Sequence, residues 1–217
     1  MPSIASLPPP LPLSTETAAR DRILQQARET FFAQGYSAFL MDDLASSLGM
    51  SKKTLYRHFT GKDDLIRAVI DGLVTEIRAD ADALLGNRML GFSEKLRGFT
   101  EGMMERMQAL TPATLHDLQR CAPELHALVS EMRQKNIPYI FGRLIEEGQL
   151  AGVVRTDLPS GFAVEFYLQA INGLLQPPSL DHLQLAPREV IARAIELFFG
   201  GLLTPSGRKE HEKLFPR

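Results

Sequence analysis

Hydrophobic residues recur along this chain at intervals of three and four positions, with polar residues between them, which is the spacing of amphipathic helices. Five apolar residues near the N-terminus follow this spacing: Ile23, Leu24, Ala27, Phe31 and Phe32. Ser14 or Thr17 can cap the start of this first helix, and Gly35 ends it. The same spacing predicts three further helices, over residues 41–48, 52–59 and 62–85.

The C-terminal half keeps the helical period and contains no alternating pattern typical of a strand. Helices are predicted over residues 92–110, from Pro112 onward, and over 124–149, 160–175 and 187–203. Pro138 lies inside one of them and predicts a kink or a break, because proline removes a backbone donor. Residues 176–186, with Pro177 and Pro178, are predicted to form a loop. The expected fold is all-α, with about nine helices.

The second and third helices are short and are separated by a turn at residues 49–51, as in a helix-turn-helix that a longer first helix supports. At about 100° per residue, Leu55 and Phe59 point to one side of the third helix, where they can pack on the first and second helices. The predicted partners of these two side chains are Ile23, Phe31 and Leu44.

The opposite side of the third helix carries Lys53, Tyr56 and Arg57, flanked by Thr54 and His58. Lys and Arg can donate to guanine edges, Tyr can stack or donate, and hydroxyl or imidazole groups can donate to phosphate oxygens. This face therefore has the donors that a DNA major groove requires. Short basic helices are also common as ordinary solvated surfaces, and the spacing alone leaves both interpretations open.

The run GYSAFLMDDLASSLGMSKKTLYRHFTGKDDL, residues 35–65, resembles the DNA-binding segment of the TetR family of bacterial transcription regulators. The resemblance covers about residues 17–65, and the matching positions are Gly35, Tyr36, Met41, Ala45, Gly49, Ser51, Lys52, Thr54, Leu55, Tyr56, His58, Phe59, Lys62 and Leu65. It implies a supporting first helix, a helix-turn-helix, and a fourth helix that links the DNA and ligand domains.

The resemblance also implies which residues contact DNA. Bases or the nearby backbone would be contacted by Lys52, Lys53, Tyr56 and Arg57, and phosphates by Thr54, His58 and Lys62. Lys62 fits a phosphate contact independently, because it opens a helix whose N-terminal amides attract anions. The chain departs from the family at Phe39 and Leu40, where a Ser or Thr usually caps the second helix. We expect these two side chains to pack between the first and fourth helices instead.

Composition limits the alternatives. The net charge of −2 argues against a nucleic-acid binder, but residues 51–62 hold four Lys or Arg and no Asp or Glu. Cys121 is the single cysteine, which excludes an intramolecular disulfide and favours the reducing cytoplasm. Residues 1–13 contain five prolines and no basic residue, so we expect a disordered tail rather than a signal peptide. Charges interrupt every apolar segment, so no membrane span is predicted.

Methionines and aromatic residues of the C-terminal half suggest a pocket for an apolar or aromatic ligand, although such residues more often form plain core. The proposed ligand-binding residues are Phe99, Met103, Met107, His116, Phe141, Phe162, Phe166 and Gln169. His116, Cys121 and His126 are spaced by five residues, which turns successive groups about 140° apart on a helix, so no metal site is predicted. No common catalytic or nucleotide-binding motif occurs, so neither an enzyme nor a cofactor is expected.

The last two predicted helices are apolar over more of their circumference than a one-sided helix requires. The family resemblance implies that they pair with their mates in a homodimer; the alternative is that they are central helices of a monomer. The predicted interface residues are Phe166, Ala170, Gly173, Leu174, Ile191, Ala194, Ile195, Phe198 and Leu202.

The sequence thus predicts five segments in chain order. They are a tail at 1–13, a helix-turn-helix domain at 14–62, a linker helix at 63–86, a ligand-binding and dimerisation domain at 87–204, and a second tail at 205–217. The expected function is ligand-responsive transcription regulation, with repression at a pseudo-palindromic DNA operator relieved by a small molecule. The alternative is a helical ligand-binding protein or enzyme that does not bind an operator.

Overall fold

The computed structural model describes residues 15–214, which fold into eleven α-helices without a β-strand. The helices are α1 (Thr15–Gln34), α2 (Met41–Ser47), α3 (Lys52–His58), α4 (Lys62–Gly86), α5 (Phe92–Arg106), α6 (Pro112–Cys121), α7 (Pro123–Leu150), α8 (Ser160–Leu174), α9 (Pro177–Leu183), α10 (Pro187–Leu202) and α11 (Pro205–Leu214). The all-α prediction is confirmed. The tail predicted at 1–13 and the cap predicted at Ser14 lie outside the described residues.

Two segments that were predicted to be irregular are helical, which raises the helix count from about nine to eleven. Pro177 begins α9 at a first-turn position, where proline's missing N–H costs no hydrogen bond. The segment after residue 204 is not a tail, because α11 packs on α5. There Gly207 lies so close to the backbone of Val153 that a side chain would overlap it.

The helix α7 runs without interruption through Pro138, so the predicted break does not occur. Packing explains this continuity, because α7 lies against α8 and α4, and such contacts outweigh one lost backbone bond. Between residues 15 and 214, no helix is both long and apolar enough to cross a membrane.

The N-terminal core is a cluster of buried residues from α1 to α4. Leu55 and Phe59 of α3 lie in it together with Ile23, Phe31 and Leu44, as their spacing predicts. The same cluster also contains three residues from α6, α7 and the junction between them: Leu118, Ala122 and Leu125. The helix-turn-helix domain therefore packs directly on the C-terminal half of the chain, without a flexible linker between them.

The C-terminal core is built around Phe141 of α7. Its ring lies 4.6 Å from that of Tyr167 and 5.1 Å from that of Phe199, measured between centroids. Aromatic pairs at such distances add stabilisation beyond the burial of their area. Near the C-terminal end of α7, Gly148 packs against Phe92 and Val154, and even the methyl side chain of alanine at this position would overlap them.

Candidate functional site

The turn before α3 is determined by local chemistry. Gly49 has a φ of +64°, a conformation that glycine adopts without strain. Ser51 caps α3, with its hydroxyl oxygen accepting from the backbone N–H of Thr54 at 3.1 Å. The short helix is then held in the core by Leu55, which is fully buried.

Three side chains predicted to read bases are exposed on the side of α3 away from the core: Lys53, Tyr56 and Arg57. We call these three residues the outer face of α3. Tyr56 is 48% exposed, a large fraction for an aromatic side chain. Exposed donors on the second helix of a helix-turn-helix are the geometry that major-groove recognition requires.

Two neighbouring residues with predicted DNA contacts are already engaged within the protein. The Lys52 ammonium lies 2.5 Å from a carboxylate oxygen of Asp42, a hydrogen bond that raises the pKa of the lysine and ties α3 to α2. The Thr54 hydroxyl lies 2.9 Å from that of Ser51. Both contacts help to fix the orientation of α3.

The two remaining predicted phosphate contacts, His58 and Lys62, are half-buried. Nε2 of His58 is buried without a hydrogen-bond partner, so this nitrogen does not face a phosphate in this conformation. Lys62 Nζ lies 4.1 Å from the centre of the Tyr36 ring, and burial lowers the pKa of the lysine. Burial and a hydrogen bond to Asp63 raise the pKa of Tyr36 to about 12. The ring of Tyr36 therefore positions the ammonium group of Lys62 at the start of α4.

The departure at Phe39 and Leu40 has a different consequence for each residue. Phe39 is fully buried in the N-terminal core, as predicted. Leu40 is 55% exposed, so the prediction that it packs between α1 and α4 is wrong. It occupies the N-cap position of α2 and provides no side-chain hydrogen bond there. The helix α2 therefore begins without a hydroxyl side chain at its N-cap, the position where Ser or Thr is preferred.

One contact between the two halves of the chain was not predicted. A carboxylate oxygen of Asp117 in α6 accepts from the backbone N–H of Ser37 at 2.6 Å, in the turn between α1 and α2. Burial opposes ionisation of Asp117, but hydrogen bonds from Ser37 and Cys121 outweigh it and lower the pKa. The residues are 80 positions apart, so no local spacing could reveal this bond.

A large apolar cavity lies between the two cores, with an empty volume of about 1280 Å³ when its open mouth is included. We call it the central cavity. Its walls come from seven helices: α1, α4, α5, α6, α7, α8 and α10. Met107 and Leu110, which follow α5, and Leu175, which follows α8, complete them. Four of the eight predicted ligand residues line it: Phe99, Met103, Met107 and Phe141.

The other four predicted ligand residues lie outside the central cavity. Phe162 and Phe166 are each 62% exposed, on the side of α8 that faces away from the core. Gln169 is exposed and bonds to Glu165, while His116 Nε2 lies 3.4 Å from a carboxylate oxygen of Asp181. The prediction missed residues of α1 and α4 that form part of the wall: Phe31, Phe32, Val69, Ile70, Leu73, Val74 and Ile77.

The predicted dimer interface divides between two sides of its helices. Four of its residues are buried in the protomer's own core, on the side of α10 where Phe198 packs on Phe141 and Tyr167. They are Ile191, Ile195, Phe198 and Leu202. On the opposite side, Phe162 and Phe166 of α8 and Leu197 of α10 are exposed, Leu197 to 81%. Gly173 is exposed as well, and Ala170, Leu174 and Ala194 are half-buried.

A helix-turn-helix with exposed donors on its second helix defines the class: a DNA-binding transcription regulator. Comparison with known proteins agrees, since residues 23–69 match the profile described as "Bacterial regulatory proteins, tetR family". The HTH-type transcriptional regulator UidR of Escherichia coli is 25% identical over 198 residues, 86% of this chain and 94% of its own length. The uncharacterized HTH-type transcriptional regulator YvaF of Bacillus subtilis is 26% identical over 182 residues, 83% of this chain and 94% of its own length.

A solved structure has the same fold. A transcriptional regulator of the TetR family from Agrobacterium tumefaciens superposes with a TM-score of 0.65, at 18% identity, over 88% of this chain and all of its own. Residues 23–69 therefore match the TetR family of bacterial regulatory proteins, and the chain shares its fold with a solved TetR-family regulator. Its relatives are regulators rather than enzymes.

Proposed function

We propose that this protein is a ligand-controlled repressor, which leaves a pseudo-palindromic operator when a small apolar or aromatic molecule occupies the central cavity. The observation that carries this proposal is the origin of the cavity walls. Phe31 and Phe32 of α1 belong to the core that supports the helix-turn-helix, while Phe99 and Phe141 belong to the core of the C-terminal half. A molecule between them contacts both cores at once, and its binding is therefore coupled to their relative position.

The helix α6 provides a direct route for such coupling. Leu115 and Leu118 line the central cavity, and Asp117 on the same helix holds the turn before α2 through Ser37. A ligand that displaces α6 would therefore change the position of the reading helix. Repression is relieved if the displaced state no longer fits two successive major grooves, about 34 Å apart.

The DNA contacts that we propose are those of α3 and of the start of α4. Bases would be read by the outer face of α3, and the residues that hold or approach the phosphate backbone would be Lys52, Thr54, His58 and Lys62. The domains would then be residues 14–62 for DNA binding, 63–86 as the connection, and 87–204 for ligand binding and dimerisation. The protein would act in the cytoplasm, where its operator lies.

Two copies would meet through the exposed sides of α8 and α10. Phe162, Phe166 and Leu197 form an apolar surface that has no partner among the described residues, and Gly173 leaves room for close approach of a second helix. Such surfaces on soluble chains typically mark an interface, and a two-fold axis there matches a palindromic operator.

The test is an operator titration with and without candidate ligands. The operator is first selected from a random duplex library by the purified protein, and apolar and aromatic compounds are then screened for release. We expect at least one compound that binds the protein to lower operator affinity about tenfold or more, a coupling of about 1.4 kcal/mol. If compounds occupy the cavity and leave operator affinity unchanged, ligand control is wrong. A protein that selects no operator would support the alternative, a helical ligand-binding protein that does not bind DNA.

A further inference from the structure

The central cavity has one cationic group in an otherwise apolar wall. Most of its lining is aliphatic or aromatic, and the polar side chains in it are Thr114, Arg133, Asn136 and Tyr167. Arg133 lies on α7, where its guanidinium faces the region between α7 and α8. A charged side chain in such a wall requires a physical reason, because burial without a counterion is costly.

Arg133 has an incomplete set of partners. Its Nε donates to Oδ1 of Asn172 in α8 at 2.9 Å, and in the described range 15–214 no carboxylate lies within ion-pair distance of it. A guanidinium has five N–H donors, and the described contacts of this half-buried side chain engage one of them within the protein. Burial also lowers the pKa of Arg133, and no neighbouring acid offsets the effect.

Two other arginines of the C-terminal half are paired with acids. Arg106 forms ion pairs with Asp80 and Glu76, and Arg143 lies 2.9 Å from a carboxylate oxygen of Asp82. Among the described residues, Arg133 differs from these two arginines in having no acid within ion-pair distance.

A second polar group in the same wall also lacks a partner. Asn136, one helical turn from Arg133, donates its amide N–H to the carbonyl oxygen of Met132 at 2.8 Å. Its Oδ1 is buried and accepts no hydrogen bond. Buried acceptors are usually satisfied, so this oxygen marks a place where a ligand's hydroxyl or N–H group would bind. Both groups therefore lie one helical turn apart on α7, in the wall of the same apolar space.

We infer that the ligand of this cavity is an amphipathic anion, with an apolar body in the space between the cores and a carboxylate or comparable anionic group on Arg133. This inference rests on the proposed function and adds the chemical class of the ligand. An anion would complete the hydrogen bonds of the guanidinium and neutralise its charge, so binding replaces an unfavourable state with a satisfied one.

The test compares molecules that share a body and differ in their head group. Dodecanoate and dodecan-1-ol form one pair, and pyrenebutyrate and pyrenebutanol form the other. Binding to the full chain is measured by titration calorimetry below the micelle concentration of each probe. We expect at least one carboxylate to bind about tenfold or more tightly than its alcohol, since hydrogen bonds to charged groups have that order of effect.

Two variants locate the effect. Arg133→Met should abolish the preference for the carboxylate, while Lys135→Met removes a positive charge from an exposed position of the same helix and should retain it. The unfolding temperature of Arg133→Met should be unchanged or higher, because a half-buried charge without a counterion is removed. A purely structural role for Arg133 would instead lower the unfolding temperature.

The outcomes separate the two proposals. The proposal of an anionic ligand is overturned if both carboxylates bind no more tightly than their alcohols, a comparison that needs only the unmodified protein. It is also overturned if the preference for the carboxylate survives in Arg133→Met. Failure of all four probes to bind also overturns it. If both alcohols bind at least as tightly as their carboxylates and one of them releases the operator, ligand control stands and the anionic class fails. If a carboxylate binds through Arg133 without releasing the operator, the ligand class stands and ligand control fails.

Discussion

Neighbouring residues of α3 have opposite environments. Leu55 is fully buried, yet Tyr56, the next residue, is 48% exposed. The helical turn of about 100° per residue produces this contrast, and the N-cap at Ser51 fixes where the helix begins and thus which side chains point outward. A single-residue change on the exposed side can therefore alter DNA contacts without disturbing the core.

Substitutions on α3 and α4 should separate base contacts from phosphate contacts. Lys53→Ala or Tyr56→Ala should cost about 1–3 kcal/mol on the operator and relax sequence specificity, because the outer face of α3 would contact base edges. Lys62→Ala should weaken binding to all duplexes to a similar extent, because a phosphate contact carries no sequence information. The measurement is a titration of operator and random duplex at one fixed salt concentration.

Lys209→Ala is the matched control, because Lys209 is an exposed lysine on α11, outside the helix-turn-helix. Its operator affinity should equal that of the unmodified protein. Unchanged affinity in all three test variants would place the recognition surface elsewhere on the molecule.

At the scale of elements, α6 connects the cavity wall to the helix-turn-helix. Leu115 faces the cavity, and Asp117, two residues later, bonds to the turn between α1 and α2. Gly35 in that turn has a φ of +80° and approaches Asp117 so closely that a side chain would press on the carboxylate. The close approach and the hydrogen bond together fix α6 against the DNA-binding domain.

Removing the Asp117 carboxylate should loosen this connection. Asp117→Ala leaves the Ser37 N–H without its acceptor, so its amide hydrogen exchange should quicken, and the free energy of unfolding should fall by about 1 kcal/mol. Exchange measured residue by residue on the free protein checks this expectation. The exposed neighbour Arg120→Ala should leave Ser37 exchange unchanged, and equal protection in both variants would mean that the bond is not formed in solution.

A charge on the exposed sides of α8 and α10 should disrupt the proposed dimer. Leu197→Arg places a charge on the proposed interface while leaving the protomer's core intact, since Leu197 is 81% exposed. We expect monomers in sedimentation and a large loss of operator affinity, because a single copy contacts one half-site.

Leu150→Arg is its control, since Leu150 is 91% exposed at the end of α7 and lies outside the proposed interface. This variant should remain dimeric. Dimers of Leu197→Arg with full operator affinity would contradict the interface.

At the scale of the molecule, the central cavity joins two cores that the chain builds separately. Adding bulk there should alter the response to a ligand more than it alters DNA binding without one. For Met103→Trp we expect a changed ligand affinity or a changed release of operator, with ligand-free operator affinity within about tenfold. The operator titration described above, repeated with the variant, measures both quantities.

Met89→Trp adds the same ring at a position that is 90% exposed, and it should respond like the unmodified protein. If Met103→Trp also leaves both ligand affinity and operator release unchanged, Met103 is ordinary core and the ligand lies elsewhere.

The sequence alone determined most of the helices, the helix-turn-helix and the exposed face of α3. These features depend on residues within one or two turns of each other, such as Ser51 and Thr54 at a cap, so spacing and residue type are sufficient to predict them. The core positions of Leu55 and Phe59 follow from the same periodicity.

The tertiary structure decided which apolar side of each C-terminal helix is core, cavity wall or surface. Phe166 and Phe198 have equally apolar neighbourhoods in the sequence, yet the first is 62% exposed and the second is buried. It likewise decided that Phe31 lines the cavity and that Arg133 has no acid beside it. Such features depend on the packing of helices that are distant along the chain, and hydrophobic periodicity identifies an apolar side without identifying what covers it.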